Sequence, residues 1–174
     1  MATTPNNLVL RGSAATLQFA SRDTPAGRFA TQIFNDEYNV ATVGRVTGVE
    51  VRVTTDLEVF HQIGTRRPAD LVPGNINISG HIDRAYINGA LLRMLVGRLA
   101  GAGQNEDQIP LEMQPSFNLV LTLHDPQAAT ATAGTRITVS SVQFDDWVVT
   151  VPEDQFIMEN ITFKAMSLER EEIA

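Results

Sequence analysis

The sequence predicts an α+β protein that is mainly β, an antiparallel β-sandwich or partly closed barrel with one flanking helix at about residues 84–99. Three observations lead to this prediction. Apolar and polar residues alternate along several short runs, as they do in half-buried strands. Turn residues interrupt these runs at short spacing, which is typical of antiparallel connections. Only one stretch changes to helical spacing, and about seven or eight strands are expected around it.

The composition indicates a single domain over residues 1–174. The chain is 43% hydrophobic, which is enough to bury a core. It contains no cysteine, so disulfides, thiolate nucleophiles and cysteine-bound metals are excluded. No apolar run is long enough to span a membrane, so no membrane insertion is expected. The net charge is −7 and Lys164 is the sole lysine. A surface of this sign repels nucleic acid.

The central stretch, Gly74–Gly101, is predicted to be a strand that runs into a helix. The strand has a two-residue period. Its apolar side comprises Ile76, Ile78 and Ile82. At Asp83 the spacing becomes helical, and this residue is predicted to be the N-cap because its carboxylate can accept a hydrogen bond from the first turn. The helix is expected to continue for about four turns, from roughly Arg84 to Leu99, with glycines after it as stop signals.

The predicted helix is apolar around most of its circumference, which is more than packing on one sheet requires. Two interpretations remain open. The helix either lies inside the core of a single chain or buries a second face against another copy. The residues expected in such a lateral contact are Ile87, Leu91, Met94 and Leu95. No other segment shows a convincing helical period.

Strands are predicted on both sides of this centre. They lie at residues 8–11, 15–20, 42–60, 116–124, 136–144, 147–151 and 156–168. Asp56 is predicted to break or turn the third run, which resumes over Leu57–Ile63. Ser21–Asn39 is predicted to be a polar connection, either an ordered loop or an irregular strand, anchored on the body by Phe29, Ile33 and Phe34. The tail, Glu169–Ala174, is predicted to be frayed.

The loop Gly64–Gly74 has two prolines, two adjacent arginines and an aspartate. Such a segment is either an ordinary solvated loop or a projection toward a partner.

No catalytic residue, metal site or cofactor is expected. The three histidines, His61, His81 and His124, lie on different predicted strands without metal-ligand spacing. His81 and Asp83 could orient a general base, but a polar strand end beside a helix cap is the simpler interpretation. The neighbouring carboxylates at 145–146 and 153–154 lie at predicted turns and lack EF-hand spacing. An enzyme is therefore not expected.

Two phrases of the sequence, taken together, resemble the tail tube proteins of tailed bacteriophages. One is ISGHIDRAYINGALLRMLVG, and the other is FDDWVVTVPEDQFIMENITFKAMSLE, with FNLVLTLHDP ahead of the second. The resemblance covers about residues 42–168. It implies a barrel-like or sandwich subunit with a flanking helix, of which six copies form a ring. Stacked rings would then form a tube through which DNA passes. The acidic charge of the chain would keep the DNA backbone from sticking to the wall.

The resemblance also implies partners and a location. A tail sheath, baseplate or tail-terminator protein would contact the tube, which would belong to the virion tail and be assembled in the host bacterial cytoplasm. The family shares its fold with needle-tube (Hcp-like) proteins of bacterial secretion systems, so such a subunit is an alternative. A monomeric β-sandwich binding module is another.

Within the tube interpretation, three groups of residues are expected to act. The lumen is expected to be lined by Glu50, Asp56 and Glu58, and ring stacking is expected to involve Arg66, Arg67 and Asp70. The lateral contact is the apolar helix face given above. Glu153 and Asp154 would face a sheath or an adjoining ring. The competing interpretation for every charged residue is an ordinary solvated side chain.

Overall fold

The computed structural model describes residues 12–37, 43, 45–96, 114–124 and 134–173. Within them it has seven strands and two α-helices, and the strand at 8–11 and the glycine stop signals after the central helix lie outside this part. The strands are β1 (Ala15–Ala20), β2 (Val46–Phe60), β3 (Asp70–Ala85), β4 (Phe117–His124), β5 (Gly134–Thr150), β6 (Met158–Ala165) and β7 (Ser167–Ile173), and the helices are α1 (Pro25–Gln32) and α2 (Ala90–Val96). A short 3₁₀ turn (Gly12–Ala14) precedes β1, and a π-helical turn (Ile33–Glu37) follows α1.

All strand pairs are antiparallel, which confirms the predicted class. The sheet order is β1-β4-β5-β6-β3-β2, and β7 also pairs with β5. β5 is shared: its first half lies between β4 and β7, and its second half pairs with β6. It bends at Ser141, whose φ is 57° and whose N–H donates to Asn118 Oδ1 at 3.1 Å. β6 and β7 follow each other along one side of β5, and the sheet is curled into a half-barrel.

One core lies inside the curl and draws on both halves of the sheet. Phe117 of β4, Phe144 of β5 and Phe163 of β6 are all buried in it. The rings of Phe117 and Phe144 meet edge to face at a centroid distance of 4.9 Å, a favourable arrangement for aromatic pairs. The predicted anchors of the first connection also belong to this core. They are Phe29, Ile33 and Phe34.

The connection after β1 is helical, and this corrects the prediction of a polar loop or irregular strand. α1 starts with Thr24 as N-cap, whose Oγ1 accepts a hydrogen bond from Gly27 N at 3.1 Å, and with Pro25 in the first turn. A Cβ at Gly27 would lie 2.3 Å from the carbonyl oxygen of Arg22. The expectation of a single helix was therefore wrong.

The central helix begins later than predicted at 84–99. β3 continues through Ala85 because its last residues pair with β6, so Asp83 is a strand residue and not an N-cap. α2 starts at Ala90, whose N–H donates to Asn88 Oδ1 at 3.2 Å. It is described only to residue 96.

The polar tail is also ordered, contrary to the predicted fraying. β7 pairs with Gly134–Ser140, the first half of β5, along its whole length. Arg136 Nη1 lies 3.6 Å from Glu171 Oε2 across this pair. The two strands predicted at 136–144 and 147–151 form one long strand, β5.

Candidate assembly surfaces

Four strands form the part of the sheet that we call the assembly sheet: the second half of β5 (residues 143–150), β6, β3 and β2, in this order. Its two outer strands, β2 and this half of β5, each pair on one side only within the described residues. Unpaired edges of this kind are templates for pairing with another chain. The assembly sheet thus has two such edges.

The two faces of the assembly sheet differ in polarity. Side chains alternate along a strand, and directly paired residues share a face. Val49, paired with Ile82, and Ile82, paired with Ile161, therefore point into the core. The opposite face carries more acidic than basic side chains. Its charged residues are Glu50, Arg52, Asp56, Glu58, Asp70, Asp83, Asp145, Asp146 and Lys164.

A shallow depression of about 250 Å³ lies on this polar face. His81 is one of its lining residues, with Nδ1 3.9 Å from Glu50 Oε2 and Nε2 3.6 Å from Asp83 Oδ2. Asp83 Oδ1 also accepts a hydrogen bond of 2.5 Å from Asn160 Nδ2. The predicted His81–Asp83 proximity is thus real, but the pair sits on an open surface. No group of three or more potential ligands for a metal ion occurs in the described ranges.

Directly beneath the polar face, a buried ion pair fixes β3 to β6. The side chains of Arg84 and Glu159 are each 1% exposed, and Arg84 Nε donates to Glu159 Oε1 at 2.5 Å. Arg84 Nη1 donates to the carbonyl of Val43 at 2.7 Å, and Trp147 Nε1 donates to Glu159 Oε2 at 2.9 Å. This network was not predicted from the sequence. The two-residue period of β3 could have indicated it, because this period places Arg84 on the same, inward-facing side of the strand as Ile78 and Ile82.

Beyond the core, the β2–β3 hairpin projects as a two-stranded ribbon that we call the distal hairpin, residues 52–77. Every residue in it is exposed. At about 3.3 Å per residue its strands extend roughly 30 Å from the body. One of its faces continues the apolar side of the assembly sheet but has no layer above it. That face carries Val53, Leu57, Val59, Leu71 and Ile76, and Leu57 is 59% exposed.

The residues predicted for the lumen lie on the other side of β2. Glu50, Asp56 and Glu58 occupy alternate positions of the strand and so share its polar face. Asp56 lies at a bulge opposite Gly74, where it was predicted to break the run. The strand instead continues through it.

The residues predicted for stacking lie at the tip of the distal hairpin. Arg66 and Arg67 are exposed in the loop between β2 and β3, which Ala69 N closes by donating to Phe60 O at 2.8 Å. Asp70 is the first residue of β3, and its Oδ1 accepts a hydrogen bond from the N–H of the next residue. The segment thus lies exposed at the end of the hairpin, and its contact with a partner stays a prediction.

The residues predicted for the lateral contact are separated by the structure. Leu91 and Met94 are fully buried in the core of their own chain, and Leu95 packs against that core. Only Ile87 is largely exposed, and it precedes α2. The broad apolar surface of the helix is explained by the core of a single chain, so Leu91 and Met94 are corrected to core residues.

Comparison with known proteins gives a fold but no sequence family. No family model and no curated protein matches the chain. The tube–sheath complex of an extracellular contractile injection system, PVC, in the extended state matches with a TM-score of 0.59 at 9% identity, over 99% of this chain and 100% of that chain. The tube-terminating cap of the anti-feeding prophage matches with a TM-score of 0.58 at 10% identity, over 99% and 100%.

The tail tube of SPP1 matches with a TM-score of 0.56 at 11% identity, over 95% of this chain and 80% of that chain.

The class defined by these surfaces is a mainly antiparallel β protein with a curled sheet and exposed edges. More particularly, the chain has the fold of tail tube and tube-terminating proteins. No helix among the described residues is long and apolar enough to cross a membrane.

Proposed function

We propose that this chain is the subunit of a phage-type tail tube, a structural virion protein whose copies form six-membered rings that stack around a channel for DNA. It is not an enzyme in this proposal. The observation that carries the proposal is the assembly sheet, which combines one polar face with two unpaired edges.

The two edges are suited to pairing with one another between copies. The four strands alternate in direction, so β2 and the second half of β5 run antiparallel. The β2 edge of one copy can therefore form an antiparallel ladder with the β5 edge of the next. A ring of copies joined in this way closes the sheets into one barrel and leaves no edge exposed.

The polar face would line the channel of that barrel. Glu50, Asp56 and Glu58 lie on it, and acidic residues outnumber basic ones there. A wall of the same sign as the phosphate backbone keeps DNA from binding during passage. The net charge of −7 per subunit has the same effect on the whole tube.

The remaining surfaces would serve stacking and attachment. Similarity to a sheath–tube complex and a tube-terminating cap supports contacts with a sheath, baseplate or terminator in the virion tail. The subunits would assemble in the cytoplasm of the host bacterium.

A needle-tube subunit of a secretion system would use the same geometry, with another cargo. A monomeric binding module is disfavoured by the uncovered apolar face of the distal hairpin.

Negative-stain electron microscopy across protein concentration, with light scattering, tests the proposal. Hollow rings or tubes of six-fold symmetry are the expected result. A particle of 19.0 kDa at every concentration, also after addition of preformed tube ends, would contradict it.

The channel assignment has its own test. Replacing Glu50 and Glu58 by lysine should leave tubes intact but slow DNA release, because cations on the wall attract phosphate. The effect should weaken as salt rises. Glu169→Lys with Glu172→Lys on β7 is the control with the same charge change. Equal rates of DNA release in the two variants would show that the polar face does not line the channel.

A further inference from the structure

The two unpaired edges of the assembly sheet differ in charge. Residues 143–150 of β5 contain no cation and two acidic side chains, Asp145 and Asp146. β2 contains one cation, Arg52, together with three acidic residues. Opposite charges directly across an antiparallel ladder stabilise it, and like charges destabilise it. The charge pattern therefore restricts how the β5 edge of one copy can pair with the β2 edge of another.

The two carboxylates of the β5 edge differ in what they contact. Asp145 is engaged within its own chain, because it accepts a hydrogen bond from the hydroxyl of Thr162 and its Oδ2 lies 3.3 Å from Lys164 Nζ. Asp146 Oδ1 accepts a hydrogen bond from Trp147 N at 2.9 Å, and no cation of the described residues pairs with this carboxylate. Asp146 is exposed, so it can receive a cation from another molecule.

Arg52 is able to supply that cation. Its side chain is 65% exposed, and its Nη2 donates to Glu50 Oε1 at 2.6 Å. A guanidinium has five N–H donors in a planar fork, so a bond to Glu50 leaves donors for a second carboxylate. Arg52 can thus bridge Glu50 on its own strand and a carboxylate on a neighbouring strand.

We propose that β2 of one copy pairs with β5 of the next copy in the register that sets Arg52 opposite Asp146. This rests on the proposed tube function and specifies its lateral contact. Counted antiparallel from that pair, Val49 lies opposite Val149. Each copy offers one edge of each kind, so the same contact recurs at every boundary of a ring.

Neighbouring registers lack this complementarity. A shift by one residue would bring the polar side of one strand to the apolar side of the other. A shift by two residues sets Asp146 either opposite Glu50, where like charges meet, or opposite Thr54, which has no charge. The charge pattern and the two-residue period therefore favour the same register.

The apolar side of the contact is complementary in the same register. Val149 faces the inner side of the sheet because it pairs with the buried Glu159, yet it is 36% exposed. An open groove of about 290 Å³ lies between β2 and the β1–β4 pair, and its lining includes Val49, Leu17 and Leu121. Val149 of the neighbouring copy would lie opposite Val49 and so beside this groove. Apolar surface of both copies is then removed from water.

Cysteine pairs measure the register, because the chain has no cysteine of its own. A disulfide needs Cβ atoms about 4 Å apart, which directly opposite residues can provide and residues offset by two cannot. Val49→Cys with Val149→Cys in one chain should give covalent multimers under oxidising conditions. These positions lie on opposite edges of the sheet, so only two copies can be joined. Val51→Cys with Val149→Cys is the matched control, offset by two, and should stay monomeric on a denaturing gel.

Charge exchange tests the ion pair itself. Asp146→Lys should raise the protein concentration needed for ring formation about tenfold, because a lysine then faces Arg52. Adding Arg52→Glu to the same chain should restore most of the assembly. Glu169→Lys on β7 makes the same charge change away from both edges and should assemble as the wild type does. Wild-type assembly of the Asp146→Lys variant, or no recovery in the double variant, would overturn the ion pair.

The results separate this contact from the proposed function. Rings in the microscope with the cross-link only in the Val51→Cys chain, or in neither chain, would retain the tube function and reject this register. Covalent multimers of the Val49→Cys chain without hollow rings would retain this contact and reject the ring.

Discussion

The body of the molecule and the distal hairpin are built from the same strands and yet differ in what stabilises them. Near the end of β3, within the body, Ile82 and Arg84 are buried. From residue 52 to 77 the same two strands keep their pairing and their alternation, but nothing covers either face. Backbone pairing is therefore enough to shape the hairpin. Its apolar side is uncovered, and under the proposed function it would contact another copy of the chain.

The largest expected effect lies in the body, at the buried ion pair. Glu159→Ala leaves the guanidinium of Arg84 buried without its carboxylate, which should lower the free energy of unfolding by about 3–5 kcal/mol. Urea denaturation measures it. Replacing both residues, Arg84→Met with Glu159→Leu, should recover most of the loss. If the single variant unfolded as the wild type does, the network would not stabilise the body.

A smaller loss is expected where strands approach most closely. A Cβ at Gly80 would lie 2.1 Å from the carbonyl oxygen of Glu50 and 2.5 Å from the ring of Phe163. Gly80→Ala should therefore cost about 1–3 kcal/mol of unfolding free energy, through forced backbone shifts. Gly12→Ala, with open space around it, is the control and should change stability little. Equal denaturation midpoints would show that the sheet accommodates the methyl group.

The cap of α1 should matter less. Thr24→Ala removes the acceptor for Gly27 N and should destabilise the body by about 1 kcal/mol. Thr24→Ser keeps the hydroxyl and should retain most of the stability. Thermal unfolding of the three proteins would separate them, and a serine variant as unstable as the alanine variant would point to the lost methyl group instead.

The smallest stability effect is expected in the distal hairpin, together with a large effect on assembly. Leu57→Ser with Val59→Ser should change the unfolding free energy by no more than about 0.5 kcal/mol, because both side chains are exposed. Tube formation should fail, since the apolar face is then polar. Glu58→Gln, on the opposite face, is the comparison. Normal tubes from the double serine variant would mean that this face stays in solvent.

The sequence predicted the strands well where one face is buried, because burial imposes the two-residue period. The prediction failed at α1, at β7 and at the start of α2, where the residues of the segment itself favoured another structure. α1 has only eight residues, too few to show a helical stripe, and β7 is polar because its side chains face solvent. The start of α2 was misplaced since Asp83 suits both a cap and a strand end.

The candidate surfaces were predicted only in part. The alternation on β2 revealed a polar face with Glu50 and Glu58, but no pattern could show that the apolar side of the distal hairpin lies uncovered, since this depends on where the other elements end. For the same reason, the wide apolar stripe of the central helix left two interpretations open, the core of a single chain and a contact with another copy. Burial in a core and burial in an interface leave the same pattern in a sequence.

The bend of β5 at Ser141 has a mechanical consequence. One uninterrupted strand passes from the curled body into the assembly sheet, so a pull along β5 reaches the body through the covalent backbone. Its ladders with β4, β6 and β7 lie across the direction of pull, because hydrogen bonds in an antiparallel pair are perpendicular to the strands. The bonds of each ladder are thus loaded in shear and share the load. Such a subunit resists a force along its strands far better than a force that separates neighbouring strands one hydrogen bond at a time.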